Sequence, residues 1–233
     1  MSDIAPISDE LKQHLTHLSA NPGGLPEAHK DYLRNLKASG FEPKVIYDIG
    51  ACVLHWTKFA QELWPEAEII LFDAFQPAEF LYPPHRYNIG VLSDQDNKEV
   101  KFYQNDMLPG GNSYYREIGC QGGRFFPEDS YKVMYTRTLD SLVQERGYPL
   151  PDLVKIDVQG AEKDVISGAQ HALSQTKHLI VEMQHVEYNQ GAPKVDETLP
   201  FIESKGFKCV APLFANNGPD GDYGFIRTGT STF

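Results

Sequence analysis

No stretch of this 233-residue chain approaches the ~18 consecutive apolar residues a helix needs to cross a bilayer. Met1 to Leu15 are polar and acidic and lack the apolar centre of a secretion signal, so a cytoplasmic protein without a membrane span is expected. Cysteine is scarce: Cys52, Cys120 and Cys209 are odd in number and far apart, which excludes a disulfide framework and a zinc cluster and suits reduced thiols. Positive charge is also short. Lys and Arg number 21 against 32 Asp and Glu, a net charge of −11, and the basic residues are scattered, so no nucleic-acid partner is expected. Internal repeats and low-complexity tracts are missing too.

What remains is ordinary for a folded domain, with 41% hydrophobic and 23% charged residues and a length that suits one α/β unit plus a short extension. Residues 1–44 hold two candidate helices, Asp9 to Ser19 and Pro26 to Ser39, the second with Pro near its start and Gly40 just past its end. They are expected to form a helical leader packed on a domain spanning 45–233. From Lys44 onward short apolar runs alternate with amphipathic stretches, the pattern of β-α units. The strands are predicted at Lys44–Gly50, Glu68–Asp73, Tyr87–Leu92, Asp152–Asp157 and His178–Glu182, with a small one at Val100–Tyr103. Helices are predicted at Trp56–Trp64, Ala161–Leu173 and Val195–Lys205. Phe207–Leu213 and Tyr223–Arg227 flank the turn signal Asn216 to Gly221 and read as a closing hairpin. The fold class expected is therefore α/β: a doubly wound, mixed seven-stranded sheet with an antiparallel edge hairpin. Asn105 to Tyr131, glycine-rich with interleaved aromatics, reads as a lid over a substrate pocket.

In an open α/β sheet, ligands bind beyond the carboxyl ends of the strands where the order reverses, which gathers Asp48, Gly50, Asp73, Asp157, Glu182 and His185 at one crevice. Gly50 and Ala51 form a tight turn that admits a ligand to the backbone, and Asp48 can accept from a ligand amine. Asp73, 25 residues beyond Asp48, sits near the offset at which a carboxylate grips a ribose hydroxyl pair. After Gly50 come Ala51, Cys52, Val53, Leu54 and His55, with no further glycine to admit a pyrophosphate. That points to a nucleoside cofactor without phosphates and away from an NAD-linked oxidoreductase.

Thr138-Leu-Asp-Ser-Leu, Asp152-Leu-Val-Lys-Ile-Asp-Val-Gln-Gly-Ala-Glu162, Val165-Ile-Ser-Gly-Ala169 and Ile180-Val-Glu182 together resemble the signature of the FkbM family of methyltransferases, in order and spacing. The likeness runs from about Val45 to Arg227. It implies a class I methyltransferase, Rossmann-like fold, S-adenosyl-L-methionine as cofactor, and methyl transfer to a hydroxyl of a sugar, glycan or related small molecule. Where the family has D-x-G-A-N-x-G and a following hydroxyl, this chain has Cys52 and Leu54 for the Asn and second Gly, with Thr57 as the hydroxyl; Gln159 replaces the usual Glu. These departures keep open a degenerate methyltransferase domain that serves as a binding module.

Methyl transfer asks chiefly for alignment of acceptor and methyl group and for removal of the hydroxyl proton. His185 is the candidate base, with a capping or surface role as the other reading. Asp157 and Glu182 are candidates for holding a divalent cation such as magnesium, or alternatively for acceptor binding and for ordering His185 or Lys155. Lys155, in an apolar strand and on the same side as Asp157 by the period of two, reads as a paired, functional lysine. Glu162 opens a helix, where capping and acceptor binding are both open. Trp56 and Trp64 read as packing, and His14, His17, His29, His85, His171 and His178 as solvated surface.

Overall fold

Runs of β-branched and aliphatic residues ending in Asp, Glu or Gly make each strand stop at the same edge of one sheet. The computed structural model describes residues 7–229, so the first six residues of the expected leader lie outside it, as do the last four of the chain. Helices α1 (Asp9–Ala20) and α2 (Glu27–Ala38) lead into strand β1 (Val45–Ile49), helix α3 (His55–Leu63), β2 (Glu68–Asp73), β3 (Arg86–Ile89), β4 (Val91–Leu92) and β5 (Glu99–Phe102). Then come β6 (Lys132–Arg137), α4 (Leu139–Arg146), β7 (Leu153–Ile156), α5 (Glu162–Ser167), β8 (His178–Gln184), α6 (Val195–Ser204) and the hairpin β9 (Phe207–Asn216) and β10 (Asp220–Arg227).

Seven strands form one sheet in the order β3-β2-β1-β7-β8-β10-β9. The pairs among β3, β2, β1, β7 and β8 are parallel, and β10 runs antiparallel to both β8 and β9. The mixed doubly wound sheet with its antiparallel hairpin is thus present, and order reverses between β1 and β7. The strand expected at Tyr87–Leu92 breaks at Gly90: β3 ends the large sheet, while β4 joins β6 and β5 in a separate three-stranded sheet. The helix expected to reach Leu173 stops at Ser167. There Gly168 follows, and the Asp140 carboxylate takes the next free amides, those of His171 and Ala172, at 2.9 and 2.7 Å. Thr138 caps α4 by accepting from the Ser141 amide, so the Thr-Leu-Asp-Ser motif is scaffold.

The period of two sends alternate strand residues to two cores. Tyr47, Ile49, Phe72, Val154, Ile156 and Val181 pack beneath α4, α5 and α6. Ile46, Ile69, Leu71, Leu153 and Ile180 pack beneath α1, α2 and α3, where Leu15, Leu33, Trp56 and Ala60 join them. The same alternation turns Asp48, Lys155, Glu182 and Asp222 to this second face, since Asp48 pairs with Lys155 and Glu182 with Asp222 across the ladder. A polar row therefore crosses the strand ends under the N-terminal helices.

Candidate active site

Two clefts open beside the reversal point. The first encloses about 730 Å³, open solvent at its mouth included. Ile49, Phe72, Val91, Leu92, Phe102 and Val158 give it apolar walls, and Asp73, Asn112, Ser113, Tyr114, Asp157 and Gln159 supply polar groups. The second, of about 690 Å³, lies on the α2 side, with Leu25, His29, Trp56, Lys155, Glu182 and Asp222 in its wall. Gly50, Cys52, Gly110 and Asp157 border both. Anything passed from one ligand to another must cross at those four residues.

Asp73 stands at the mouth of the first cleft with its oxygens already oriented. The Cys52 and Phe75 amides each donate to one of them at 2.7 Å, and burial pushes the carboxyl above its ordinary range. Nδ2 of Asn112, buried in the same cleft, has no partner among the described residues. An unmet buried donor costs about 1–3 kcal/mol, which a ligand oxygen would relieve.

The turn after β1 has its own logic. Gly50 has φ +84°, and a Cβ there would stand 1.7 Å from the Asp157 carbonyl oxygen. Close approach of the β7 end, not of a ligand, requires this glycine. Cys52 and Leu54 also adopt left-handed backbone, with φ 44° and 71°. Two positions where the family pattern has Asn and Gly thus hold left-handed backbone with residues that disfavour it, at roughly 1–2 kcal/mol each. The Cys52 amide bond to Asp73, the Tyr82 hydroxyl donating to the Cys52 carbonyl at 3.0 Å, and burial of Leu54 hold the turn in place.

Asp48 and Thr57 lie beneath the clefts rather than in them. Both are buried, and the Thr57 hydroxyl donates to Asp48. Lys155 Nζ lies 3.7 Å from Asp48, 3.0 Å from Asp157 and 3.4 Å from the Gly50 carbonyl. Burial works against its charge, but the Asp157 and Asp48 carboxylates outweigh it and raise its pKa. Asp157 is held below the carboxylate range against its own burial by Lys155, whereas Glu182 is pushed well above it by burial and by Asp157. The two neighbouring carboxyls are thus pushed in opposite directions. Gln159, at φ 56°, bridges them through Nε2, 3.0 Å from Asp157 and 2.5 Å from Glu182. A glutamate there would add a third carboxyl.

The pair expected to share a divalent cation therefore faces an amide donor and an ammonium. Among the described residues no group of three or more His, Cys, Asp or Glu side chains is disposed to hold a metal ion. This donor set does not fit a hard cation, which takes six or more oxygen ligands.

The structure brings Gly50, Asp73, Asp157, Lys155 and Glu182 to the clefts, with Ala51 in the wall of the second. It does not bring His185. An odd offset from Glu182 turns this residue to the other face with Met183, and its Nε2 lies 3.0 Å from the Tyr223 hydroxyl. Sequence reasoning missed Asp222, Asn217 and His29. His29 is buried with Nε2 2.8 Å from Asp222, and Asn217 donates to both Glu182 and Asp222 at 3.2 Å. An acidic residue at strand alternation was the available signal for Asp222, but it fell between the turn read at Asn216 to Gly221 and the strand read from Tyr223, whereas β10 begins at Asp220.

No helix among the described residues is long and apolar enough to cross a membrane. Residues 48–209 match the model of the methyltransferase FkbM domain. The chain is 36% identical over 87 residues to the 2-O-methyltransferase NoeI of Sinorhizobium fredii, covering 37% of this chain and 34% of that protein. It is 25% identical over 162 residues to the hexuronic acid methyltransferase AglP of Haloferax volcanii, covering 66% and 62%. The matched stretches thus span a third to under two thirds of these relatives. Among solved structures, an O-methyltransferase from Bacillus cereus in complex with SAH aligns with a TM-score of 0.51 at 13% identity, covering 97% of this chain and 93% of the other.

Proposed function

The chain belongs to the FkbM family of methyltransferases, and on that footing we propose that it is an S-adenosylmethionine-dependent O-methyltransferase acting on a hydroxyl of a sugar or glycan. The observation that carries the reading is the pair of clefts that share Gly50, Cys52, Gly110 and Asp157. The first takes the cofactor: its apolar walls suit a purine, Asp73 a ribose hydroxyl pair, and the orphan Asn112 amide an oxygen. NoeI is named for 2-O-methyl transfer and AglP for methyl transfer to a hexuronic acid, and together these names support a carbohydrate hydroxyl as acceptor.

S-adenosylmethionine, held by Asp73 and Asn112, would supply a methyl group already activated on a sulfonium. This chain's contribution is alignment and a place for the acceptor's hydroxyl proton. Asp157, at the junction and kept ionised by Lys155, accepts the hydroxyl's hydrogen bond and takes its proton as transfer proceeds. Asp48 and Thr57 act one layer down by holding Lys155 and the turn. Glu182, whose carboxyl is pushed upward by burial and by Asp157, stands beside it in the wall of the second cleft.

Calorimetry with S-adenosylmethionine, followed by product mass for sugars and glycosides offered with labelled methyl donor, tests the reading. Binding and a 14 Da gain on a glycoside are expected; a chain that takes up no cofactor at millimolar concentration is instead a binding module. Because the Asp157–Glu182 donor set suits an amide and an ammonium, turnover should survive exhaustive chelation, and loss of activity restored by magnesium would return the cation to the site.

A further inference from the structure

The second cleft is walled on one side by the segment that precedes the sheet and on the other by the polar row of strand ends: Gly24, Leu25, Pro26 and His29 face Lys155, Asp157, Glu182 and Asp222. Two nitrogens in this wall, Nδ1 of His29 and Nε1 of Trp56, are buried without a partner among the described residues. Their side chains belong to residues only 5% and 3% exposed, so water does not readily serve them. Native proteins rarely leave buried donors and acceptors unmet, and two in one cleft wall mark a place where a ligand completes the bonding.

We propose that the second cleft binds the methyl acceptor, that this acceptor is an uncharged polyol, and that His29 Nδ1 and Trp56 Nε1 engage its hydroxyl groups. This rests on the methyl-transfer reading, since only then does a ligand in the second cleft meet the cofactor across the shared border.

The chemistry of the two nitrogens selects the ligand. His29 Nε2 faces the Asp222 carboxylate at 2.8 Å, so Nε2 carries a hydrogen toward it and Nδ1 is left over for a ligand. The Trp56 indole only donates. A hydroxyl both donates and accepts and so answers both nitrogens, whereas an ionised carboxylate or phosphate oxygen only accepts. Charge selects in the same direction. Asp157 and Asp222 line the cleft, and among the described residues in its wall there is no arginine. Lys155 is already engaged by Asp157, Asp48 and the Gly50 carbonyl, and His55 by the Leu18 carbonyl at 2.7 Å. A uronate or a sugar phosphate would bring negative charge to carboxylates with no free cation to meet it. Neutral hydroxyls, by contrast, find acceptors on Asp157 and Asp222.

The test uses the full chain saturated with S-adenosylhomocysteine and reads saturation-transfer NMR from methyl glycosides of neutral hexoses and 6-deoxyhexoses, each paired with its uronate or phosphate. At least one neutral glycoside should bind, about tenfold or more tighter than its charged partner. In His29→Gln the amide nitrogen stands in for Nε2 opposite Asp222 while Nδ1 is deleted; Trp56→Phe keeps an aromatic ring and deletes the orphan donor. Each should weaken the glycoside by about fivefold or more while leaving cofactor affinity within about twofold. If His29→Gln fails to fold, Trp56→Phe carries the test. Charged partners that bind as well as neutral ones, variants that bind like the parent, or no glycoside bound at all would overturn the proposal. Calorimetry with the cofactor alone reads the methyl-transfer proposal separately, so a chain that binds cofactor but no glycoside sinks only this inference.

Discussion

Asp73 is asked to hold its own loop and a ligand at once. Its oxygens each accept one amide, from Cys52 and from Phe75, and their remaining lone pairs are available at the cleft mouth. Asp73→Ala should weaken S-adenosylmethionine binding by about tenfold or more, read by calorimetry. A loosened loop alone would lower adenosine and 2′-deoxyadenosine affinity alike. Loss of a ribose contact should instead abolish the preference for adenosine that the parent shows. Glu162 makes a different prediction. Burial raises its carboxyl from 4.5 to about 7. The folded state therefore prefers the neutral form, so the stability it contributes is complete below pH 4.5 and is lost as pH rises to about 7. One of its oxygens accepts from both the Val158 and Gly160 amides, which a glutamine oxygen reproduces. Urea titrations should show the parent losing on the order of 1–3 kcal/mol more than Glu162→Gln between pH 5 and pH 8. Equal losses would show that Glu162 is ionised when folded. At this scale the sequence was legible where strand alternation speaks: Lys155, Asp157 and Glu182 share a face because they sit at even offsets on their strands. His185 failed on the same rule, being an odd step beyond Glu182. His29 and Trp56 carry no such mark, because a lone histidine on an amphipathic helix and a tryptophan beside the core look alike whether or not a cleft lies between them.

At the scale of elements, the long segment between β5 and β6 behaves as a cover with a defined fastening. Pro109, Gly110, Asn112, Ser113 and Tyr114 line the first cleft, and the hydroxyls of Tyr114 and Tyr115 both donate to Asp164 Oδ2 on α5, at 2.8 and 2.9 Å. Asn189 adds a bond to the Tyr115 carbonyl at 2.7 Å. Bonds to a charged acceptor contribute about 1.5–3 kcal/mol each, so the carboxylate is the strongest point of attachment. Asp164→Ala should speed amide exchange in residues 110–118 by about tenfold or more, leave β1 and β7 protected, and weaken the cofactor severalfold. Unchanged exchange in that stretch would show that apolar packing, rather than the carboxylate, fastens the cover. The aromatics and glycines of Asn105 to Tyr131 signalled a functional loop, but not its partner, because Asp164 lies some fifty positions downstream on a short helix whose surface charges look unremarkable in sequence. The strands of the large sheet were readable because each is a dense apolar run. In the small sheet β5 was read at Val100–Tyr103 and β4 was merged with β3, but β6 was missed: it is mostly exposed, with Val133 and Tyr135 facing outward.

For the whole molecule, the decisive question is whether the N-terminal helices are an accessory or part of the fold. Residues 1–44 were expected to be a leader packed on a separate domain, and we propose that the described part of it shares one cooperative core with the sheet. Leu15 and Leu33 are fully buried in the same cluster as Ile46, Leu71, Leu153 and Ile180. Tyr32 stacks on Phe214 of β9 at 4.2 Å, and a Cβ on Gly224 of β10 would stand 2.2 Å from the Tyr32 hydroxyl, so the hairpin is shaped to receive α2. The His29–Asp222 pair joins the same two elements beside the cleft. Leu33→Ala removes packing from this shared core and should cost about 2–5 kcal/mol. If the core is continuous, calorimetry of the variant should show one transition at a lower midpoint, with van't Hoff and calorimetric enthalpies still equal. An independent leader would melt first, leaving a second transition at the parent's temperature. That outcome would detach α2 from the catalytic unit, and with it His29 from the acceptor cleft, because a segment that opens alone cannot hold one wall of a site against the other.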